Sequence, residues 1–338
     1  MKAIFLAAGE GYRMGNLTTN NPKPLIKING KSILERQICL LQKFGISEII
    51  VIRGPHPDRF KLNVEYVNDV KFNEHDQLGS LILAKEKIQN DVLIIFADIL
   101  FDESILTKIL ESKEDITIAV DMNWEKYDLR RENTIDEADK VAISKGTIKR
   151  IFKNINEIDK KFEIGEFIGL LKLTKNGSKE FNRIYSELTL KKNQGFHDST
   201  SVKRAKLVDF LQEIIEHNIE IKPVIIHGKW CEIDTLEDLE LAEKILEYKR
   251  DKLSHKDFGD WSNQKDILEP FVDKFFADLK DVCLFPFIFV LTLNKLPDKE
   301  YFFISLAFMP FRAVEIKSSL LPEPPKVQFV IFLAGKLI

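Results

Sequence analysis

The sequence predicts an α/β fold in which a mainly parallel sheet carries helices on both faces. Short apolar runs without polar alternation, such as Ala3–Leu6 and Val92–Phe96, are typical of strands buried on both sides. They alternate with amphipathic segments of about a dozen residues, which is typical of a parallel sheet. The composition, 44% hydrophobic and 30% charged over 338 residues, is that of a globular protein.

Each element follows from a local signal. Ser32 and Glu35 form a capping box in front of a predicted helix over 33–44, and Gly45 provides its C-terminal cap. Thr235 and Asp238 form a second capping box in front of a helix over 236–248. The apolar runs predict strands at 3–6, 48–52, 64–67, 92–96, 116–120, 147–152, 167–173 and 221–226. The remaining periodic segments predict helices at 78–88, 177–188 and 203–219.

Charge and cysteine content exclude several classes of function. The chain has 50 Lys and Arg against 53 Asp and Glu, so no cationic excess indicates binding to nucleic acid or to an anionic membrane surface. Cys39, Cys231 and Cys283 are far apart and form no C-x-x-C pair, so we expect a cytoplasmic protein without a zinc ribbon or a disulfide scaffold. The longest apolar run, 283–293, is too short for a membrane span.

A glycine-rich loop after the first strand is the first feature that indicates chemistry. The loop and the segment behind it contain Leu6, Ala7, Ala8, Gly9, Gly11, Arg13 and Met14, then Pro22, Lys23, Pro24 and Leu25. Small residues let backbone N–H groups approach a phosphate chain, and Arg13 and Lys23 add positive charge. A strand-to-helix turn with solvated charges is the alternative. A dinucleotide site is disfavoured because Met14 occupies the third glycine position.

Two aspartates stand at predicted strand ends, Asp98 after 92–96 and Asp234 in front of the last helix. Ligands of open α/β sheets bind beyond the carboxyl ends of the strands. A pair of carboxylates there would suit Mg²⁺, which prefers oxygen ligands shared with substrate phosphates. For Asp234 alone, an exposed acid before a helix cap is the simpler interpretation.

Taken together, these segments resemble the nucleotidyltransferases that make sugar nucleotides and their relatives. The family pattern L-A-A-G-x-G-x-R-(L/M), followed by P-K-P-(L/M), is matched at every position, and residues 230–238 resemble the closing motif W-x-E-(I/V/F)-D-(T/S)-x-E-D. The resemblance implies a Rossmann-like fold of the nucleotide-diphospho-sugar transferase type, phosphate contacts from Arg13 and Lys23, and Mg²⁺ on Asp98 and Asp234. The sequence departs from the family at one place: Ala97 precedes a single Asp98, whereas the family often has Gly-Asp or Asp-x-Asp at this strand end.

The middle of the chain resembles a narrower group, the cytidylyltransferases acting on phosphocholine and on aminoalkylphosphonates. The resemblance rests on Asp121-x-x-Trp124, Arg130-x-Glu132-Asn133, Ala138-Asp139-Lys140-Val141 and Gly165-Glu166-Phe167-Ile168-Gly169-Leu170. It implies CTP and a small phosphate or phosphonate acceptor as partners. The residues expected to bind the nucleotide are Leu6, Ala7, Ala8, Gly9, Gly11, Gln77, Gly79 and Ser80. The residues expected to bind the acceptor are Asp121, Arg130 and Lys153. Solvated surface charges, or a strand end for Asp121, remain the alternatives.

Two other functions stay open from the sequence. A sugar-1-phosphate nucleotidyltransferase would have the same fold but use UTP or dTTP. A non-catalytic scaffold would bind a nucleotide without turning it over. The second of these would be expected to have lost Lys23 or one of the aspartates, and all are present. A homo-oligomer is compatible with the sequence.

The C-terminal part of the chain differs in composition. Residues 251–338 hold 13 of the 25 Phe and seven of the 12 Pro. We therefore expect a catalytic domain over 1–247 and a C-terminal extension over 251–338 that matches no family. Within the extension, the runs 283–293 and 301–311 are consistent with a hairpin, and 267–279 with a helix.

Overall fold

The computed structural model describes residues 1–125, 138–152, 161–190 and 195–243, together with three strands further along the chain. The chain forms two compact units, Met1–Phe258 and Gly259–Ile338. The boundary expected between residues 247 and 251 lies outside the described residues. The motifs that indicate chemistry all belong to the first unit.

The first unit alternates strands and helices. Its strands are β1 (Lys2–Ala7), β2 (Lys27–Ile28), β3 (Lys31–Ser32), β4 (Glu48–Arg53), β5 (Glu65–Asn68), β6 (Val92–Phe96), β7 (Ile99–Phe101), β8 (Ile116–Asp121), β9 (Lys140–Ser144), β10 (Thr147–Phe152), β11 (Glu163–Leu173), β12 (Lys222–Ile226) and β13 (Trp230–Glu232). Its α-helices are α1 (Ile33–Lys43), α2 (Gln77–Leu81), α3 (Glu103–Glu111), α4 (Lys175–Leu190) and α5 (Leu207–Glu216). Residues 236–243 are also helical.

A nine-stranded sheet forms the framework of this unit. Its order is β5-β4-β1-β6-β11-β8-β12, and β9 and β10 extend from the first half of β11. β1 pairs in parallel with β4 and β6, and β12 pairs in parallel with β8. Because β11 is antiparallel to β6, β8 and β9, all of these neighbours share one direction. The predicted mixed, mainly parallel sheet is therefore confirmed.

Helices cover both faces of the sheet, which explains why its strands lack polar alternation. Along β1, Ile4 packs into one hydrophobic cluster with side chains of α4 and α5. Its neighbours Ala3 and Phe5 pack into a second cluster with side chains of α1 and α3. A third, smaller cluster joins Met14 of the glycine-rich loop to Ile233, and so links the two ends of the first unit's sequence.

The predicted helix starts and ends are partly confirmed. The Ser32 hydroxyl accepts a hydrogen bond from the Glu35 amide, and the Glu35 carboxylate accepts one from the Ser32 amide, so the capping box is formed. The helix predicted over 203–219 begins only at Leu207. The segment before it is not α-helical, because its Lys203 and Ala205 carbonyls accept hydrogen bonds from the Asp76 and Leu78 amides at the start of α2. The helix predicted over 78–88 is α2 followed by a 3₁₀ segment, Ile82–Lys87.

The second unit is described only through β14 (Leu291–Lys295), β15 (Phe302–Ala307) and β16 (Val330–Ala334). β14 and β15 pair antiparallel, as the hairpin interpretation expects, and β16 adds in parallel to β15. The helix expected over 267–279 lies outside the described residues. None of the helices in the described part of the chain has the length and apolar character needed to span a bilayer.

Candidate active site

The site is built at the carboxyl ends of the two central strands, β1 and β6. Leu6 and Ala7 end β1, and the Ala97 amide, just after β6, donates a hydrogen bond to the Leu6 carbonyl at 3.1 Å. This contact places the glycine-rich loop beside Asp98. Ala7 and Ala8 are buried, whereas Gly9 is exposed, and a Cβ added at Gly9 would meet no protein atom within 4 Å. The backbone is therefore open to a ligand there.

A short two-stranded ladder brings Asp234 to Asp98. β7 follows Asp98 directly and pairs antiparallel with β13, so Ile99 stands opposite Glu232. The Ile233 amide then donates to the Asp98 carbonyl at 2.9 Å. Asp234 comes next in the chain and is 4% exposed. The ladder explains how two acids from distant segments meet in one site.

Lys23 joins the two aspartates. It belongs to a 3₁₀ turn, Lys23–Leu25, and is 7% exposed. Its ammonium group donates to Asp98 Oδ2 at 2.8 Å and also to Asp234 Oδ1. Burial by itself lowers the pKa of Lys23, but the charges of Asp98 and Asp234 outweigh burial and raise it above its ordinary value. Lys23 is therefore a permanent cation in this site.

Arg13 adds a second cation from the glycine-rich loop. Its Nη2 lies 2.6 Å from Asp234 Oδ2, and its side chain is 54% exposed. The loop is shaped by Gly11, whose φ of +68° favours glycine and whose added Cβ would lie 3.1 Å from the Lys23 Cβ. The Thr18 hydroxyl closes the loop by donating to the Gly11 carbonyl at 2.9 Å. Arg13 and Lys23 thus both pair with Asp234, and Lys23 also pairs with Asp98.

Three carboxylates converge in the centre. Oxygen atoms of Asp98, Glu232 and Asp234 lie within 4.8 Å of one another. Desolvation by the surrounding protein atoms and electrostatic repulsion from Asp234 and Asp98 raise the pKa of Glu232 to about 8. Because Glu232 still exposes much of its surface to solvent, we attribute the raised pKa mainly to repulsion between the carboxylates. We refer to these three residues as the carboxylate centre.

The carboxylate centre fits a divalent cation. Asp98 Oδ1 is buried and accepts no hydrogen bond from any described residue, so it has an unused acceptor. Clustered carboxylate oxygens are the ligands that Mg²⁺ prefers. Sequence reasoning did not include Glu232 among the metal ligands. The available signal was its spacing, because residues i and i+2 of an extended segment, here Glu232 and Asp234, share one face.

The turn expected to recognise the base is the short helix α2. Gln77 Oε1 accepts a hydrogen bond from the first amide of α5 at 3.0 Å. The Ser80 hydroxyl donates to the carboxylate of Asp69 at 2.7 Å. Gly79 fits there because an added Cβ would lie 2.3 Å from a backbone carbonyl oxygen of the segment before α5. The polar atoms of Gln77 and Ser80 therefore attach the turn to α5 and to Asp69.

A cavity of about 510 Å³ opens next to the glycine-rich loop, at the carboxyl ends of β4 and β5. Glu10 of the loop, Gly54 after β4, and Asn68 and Phe72 around the end of β5 line it. Pro55, Val70 and Phe72 supply apolar surface, and Glu10 and Asn68 supply polar groups, a mixture found in pockets for small organic ligands. Its place beside the loop suits the nucleoside part of a nucleotide.

Comparison with known proteins shows which family the chain belongs to. Residues 3–242 match the model of the MobA-like NTP transferase domain. The chain belongs to this family. It is similar to a CTP:phosphoglutamine cytidylyltransferase of Campylobacter jejuni, with 30% identity over 71% of this chain and 98% of the relative. It is also similar to a choline-phosphate cytidylyltransferase of Streptococcus pneumoniae, with 30% identity over 56% of this chain and 89% of that relative.

Solved structures show the same fold. A structure of the CTP:phosphocholine cytidylyltransferase of Streptococcus pneumoniae aligns with a TM-score of 0.55 and 21% identity, over 72% of this chain and 98% of the other. The inositol-1-phosphate CTP transferase of T. maritima aligns with a TM-score of 0.55 and 22% identity, over 73% and 96%. The family match over residues 3–242 and the cytidylyltransferase relatives confirm the resemblance stated from the motifs, and the chain is a nucleotidyltransferase.

Within this NTP transferase domain, Asp121 has protein partners. It is fully buried at the end of β8. Its Oδ1 accepts hydrogen bonds from the amides of Asn123 and Gly228, and its Oδ2 accepts one from Trp230 Nε1 at 2.8 Å. This geometry favours the alternative of a strand end over contact with an acceptor. Through Trp230, Asp121 fixes the strand that leads to Glu232.

The other two residues expected at the acceptor, Arg130 and Lys153, lie outside the described residues. Their role therefore stays a prediction.

Proposed function

We propose that this NTP transferase domain is a cytidylyltransferase that couples CMP from CTP to a small phosphate or phosphonate acceptor and releases pyrophosphate. The observation that carries the proposal is that Lys23 binds both Asp98 and Asp234 at the strand ends, where Arg13 also pairs with Asp234. The relatives named as cytidylyltransferases support CTP and a phosphorylated acceptor as the substrates.

The reaction needs no protein nucleophile or base. The acceptor oxygen is already an anion at neutral pH, and it attacks the α-phosphorus of CTP in line. A new oxygen–phosphorus bond forms while the bond from the α-phosphorus to the bridging oxygen breaks, and pyrophosphate leaves with that electron pair. Catalysis then depends on positioning and on neutralising charge.

We infer that Mg²⁺ is held by Asp98 and Asp234, with Glu232 as a further oxygen ligand. The ion would supply charge neutralisation at the α-phosphate when it is bound. Both cations pair with Asp234, and Lys23 also pairs with Asp98, so neutralising the carboxylate centre would free both cations for the triphosphate. Arg13 suits this role because its side chain is half-exposed at the edge of the site.

The nucleotide would lie along the glycine-rich loop. Backbone groups of Leu6, Ala7, Ala8, Gly9 and Gly11 would border the phosphates and ribose. The cavity at the ends of β4 and β5 would take the nucleoside end, and the turn with Gln77, Gly79 and Ser80 would border the base.

A pyrophosphate-release screen tests the proposal. It crosses CTP, UTP, dTTP, ATP and GTP with phosphocholine, 2-aminoethylphosphonate, phosphoglutamine and glucose-1-phosphate, each with Mg²⁺ and with EDTA. We expect Mg²⁺-dependent turnover of CTP with one of the first three acceptors. Turnover of UTP with glucose-1-phosphate would instead indicate a sugar-1-phosphate nucleotidyltransferase. No turnover in any combination would contradict the proposal and favour a scaffold.

A further inference from the structure

Asp69 is a buried acid that the motifs do not include and that the proposed chemistry does not use. It follows β5 directly, and its amide donates to the Arg53 carbonyl at the end of β4 at 2.8 Å. The residue is 1% exposed. It therefore lies at the carboxyl edge of the sheet, and Asn68 and Val70 on either side of it line the cavity next to the loop.

Three donors surround this carboxylate. The Ser80 hydroxyl donates at 2.7 Å, the Lys71 amide at 2.9 Å, and His75 Nδ1 lies 3.0 Å from both oxygens. A carboxylate can only accept hydrogen bonds, so His75 donates through Nδ1. A buried charge persists in a fold when hydrogen bonds compensate it, and such charge-assisted bonds are strong. The network is therefore a rigid link between β5 and α2.

The network continues into the packing of the turn. A Cβ added at Gly79 would lie 3.0 Å from the Cβ of His75, so the glycine packs directly against the histidine that Asp69 holds. On its other side, the turn receives a hydrogen bond from the first amide of α5 on Gln77 Oε1. The position of the turn is thus set from two sides, and one of these is Asp69.

We propose that Asp69 is a positioning residue for nucleobase recognition: through Ser80 and His75 it fixes the α2 turn against the end of β5, where Asn68 and Val70 line the cavity. This inference rests on the proposed function. It means that Ser80 serves the nucleotide mainly by anchoring the turn to Asp69, since its hydroxyl donates its proton there. Loss of the link is expected to affect nucleotide affinity and the choice of base more than the chemical step.

The test compares the full-length wild type with Ser80→Ala, Asp69→Asn and a matched control, Ser178→Ala. Ser178 is also buried, 1% exposed, and its hydroxyl donates at 2.7 Å to the Asn90 carbonyl, away from the strand ends that form the site. The measurements are KM for CTP and for the acceptor, kcat, the ratio of kcat/KM for CTP over UTP, and the thermal midpoint.

We expect Ser80→Ala to raise KM for CTP about tenfold, in line with loss of one hydrogen bond to a charged group, and to lower the preference for CTP over UTP. KM for the acceptor should stay within about twofold, and kcat should change little because the carboxylate centre is intact. Asp69→Asn should shift KM for CTP in the same direction and further, and Ser178→Ala should leave all kinetic values unchanged.

The inference is overturned if both network variants lower only the thermal midpoint and keep the wild-type KM and base preference, because the network is then merely structural. If the wild type turns over another nucleoside triphosphate instead of CTP, the CTP assignment fails, but the same comparison with that nucleotide still decides the role of Asp69. If the wild type neither binds nor turns over any nucleoside triphosphate in calorimetry and in the screen, both proposals fail together.

Discussion

The carboxylate centre with Lys23, and the α2 turn that we propose borders the base, are both made of motif residues, yet their polar atoms are used differently. At the centre, Lys23 forms ion pairs with Asp98 and Asp234, and charged groups of a ligand can take the place of either partner in these pairs. At the turn, Gln77 and Ser80 contact protein atoms behind the site. A motif residue can therefore act by meeting the ligand or by fixing the backbone that does. Changes at the centre should reduce turnover, and changes around the loop and the turn should reduce affinity.

The largest effect is expected for Asp98→Asn. The substitution removes one negative charge from the carboxylate centre and weakens the proposed metal site, while its shape is preserved. We expect Mg²⁺-dependent pyrophosphate release to fall by about 100-fold or more, the range found when a charge-stabilising group is lost. Steady-state assays across a range of Mg²⁺ concentrations measure the loss.

A matched control is Asp102→Asn, four positions further along. Asp102 is the N-cap of α3, where its side chain accepts a hydrogen bond from the Ser104 amide. Asparagine caps helices equally well, so this variant should keep wild-type turnover. Wild-type turnover by Asp98→Asn would show that the metal assignment is wrong.

Lys23→Met tests whether the centre is held together by exchangeable charge. Removing the buried ammonium leaves Asp98, Glu232 and Asp234 facing one another, and loss of one partner of a buried pair typically costs about 3 kcal/mol. We expect the free energy of unfolding in EDTA to fall by that amount, as measured by urea denaturation. Mg²⁺ should restore part of the stability, because it would replace the lost positive charge.

Lys172→Met is the control for that experiment. Lys172 is also buried, 5% exposed, but its ammonium group donates to the backbone carbonyls of Leu110 and Ser112. Its removal should also destabilise the fold, without rescue by Mg²⁺. Equal effects of Mg²⁺ on both variants would argue against a cation site at the carboxylate centre.

Local signals in the sequence predict much of the fold but only part of the site. Capping boxes and apolar runs depend on neighbouring residues, which is why the start of α1 and the cores of β1 and β6 are predicted well. The meeting of Asp98 with Asp234 depends on β7 and β13, each only three residues long. Strands this short carry no periodic pattern, so only the family resemblance indicated that the two acids belong to one site.

Asp121 shows the opposite case, in which the sequence suggested a ligand contact and the structure gives protein partners. Its carboxylate accepts from Gly228 and Trp230, which lie far along the chain in a turn and a short strand. A sequence shows that an acid ends a strand but cannot show which distant donors will reach it. The same limit applies to Asp69, whose partners are His75 in the loop before α2 and Ser80 within α2.

Asp121→Asn should therefore lower stability and leave acceptor binding alone. Either orientation of the asparagine amide places its NH₂ group against an N–H donor, from Gly228 or from Trp230. An unsatisfied buried donor costs about 1–3 kcal/mol, so we expect a lower urea midpoint. KM for the acceptor should stay at the wild-type value. An unchanged midpoint together with a raised acceptor KM would favour the contact with an acceptor amino group that the sequence suggested.

The smallest effect is expected for Thr18→Val, which tests whether the glycine-rich loop is held in shape by one hydroxyl. Thr18 donates to the carbonyls of Gly11 and Gly15, and valine keeps its volume but not these hydrogen bonds. A loss of about 1 kcal/mol should loosen the loop and raise KM for CTP roughly fivefold, with kcat nearly unchanged. Thr107→Val is the control, because its hydroxyl bonds only the preceding turn of α3. If Thr18→Val kept the wild-type KM for CTP, the loop would keep its shape through Gly11 and the buried Met14 without the Thr18 hydroxyl. The affinity for CTP would then depend more on the α2 turn than on the loop.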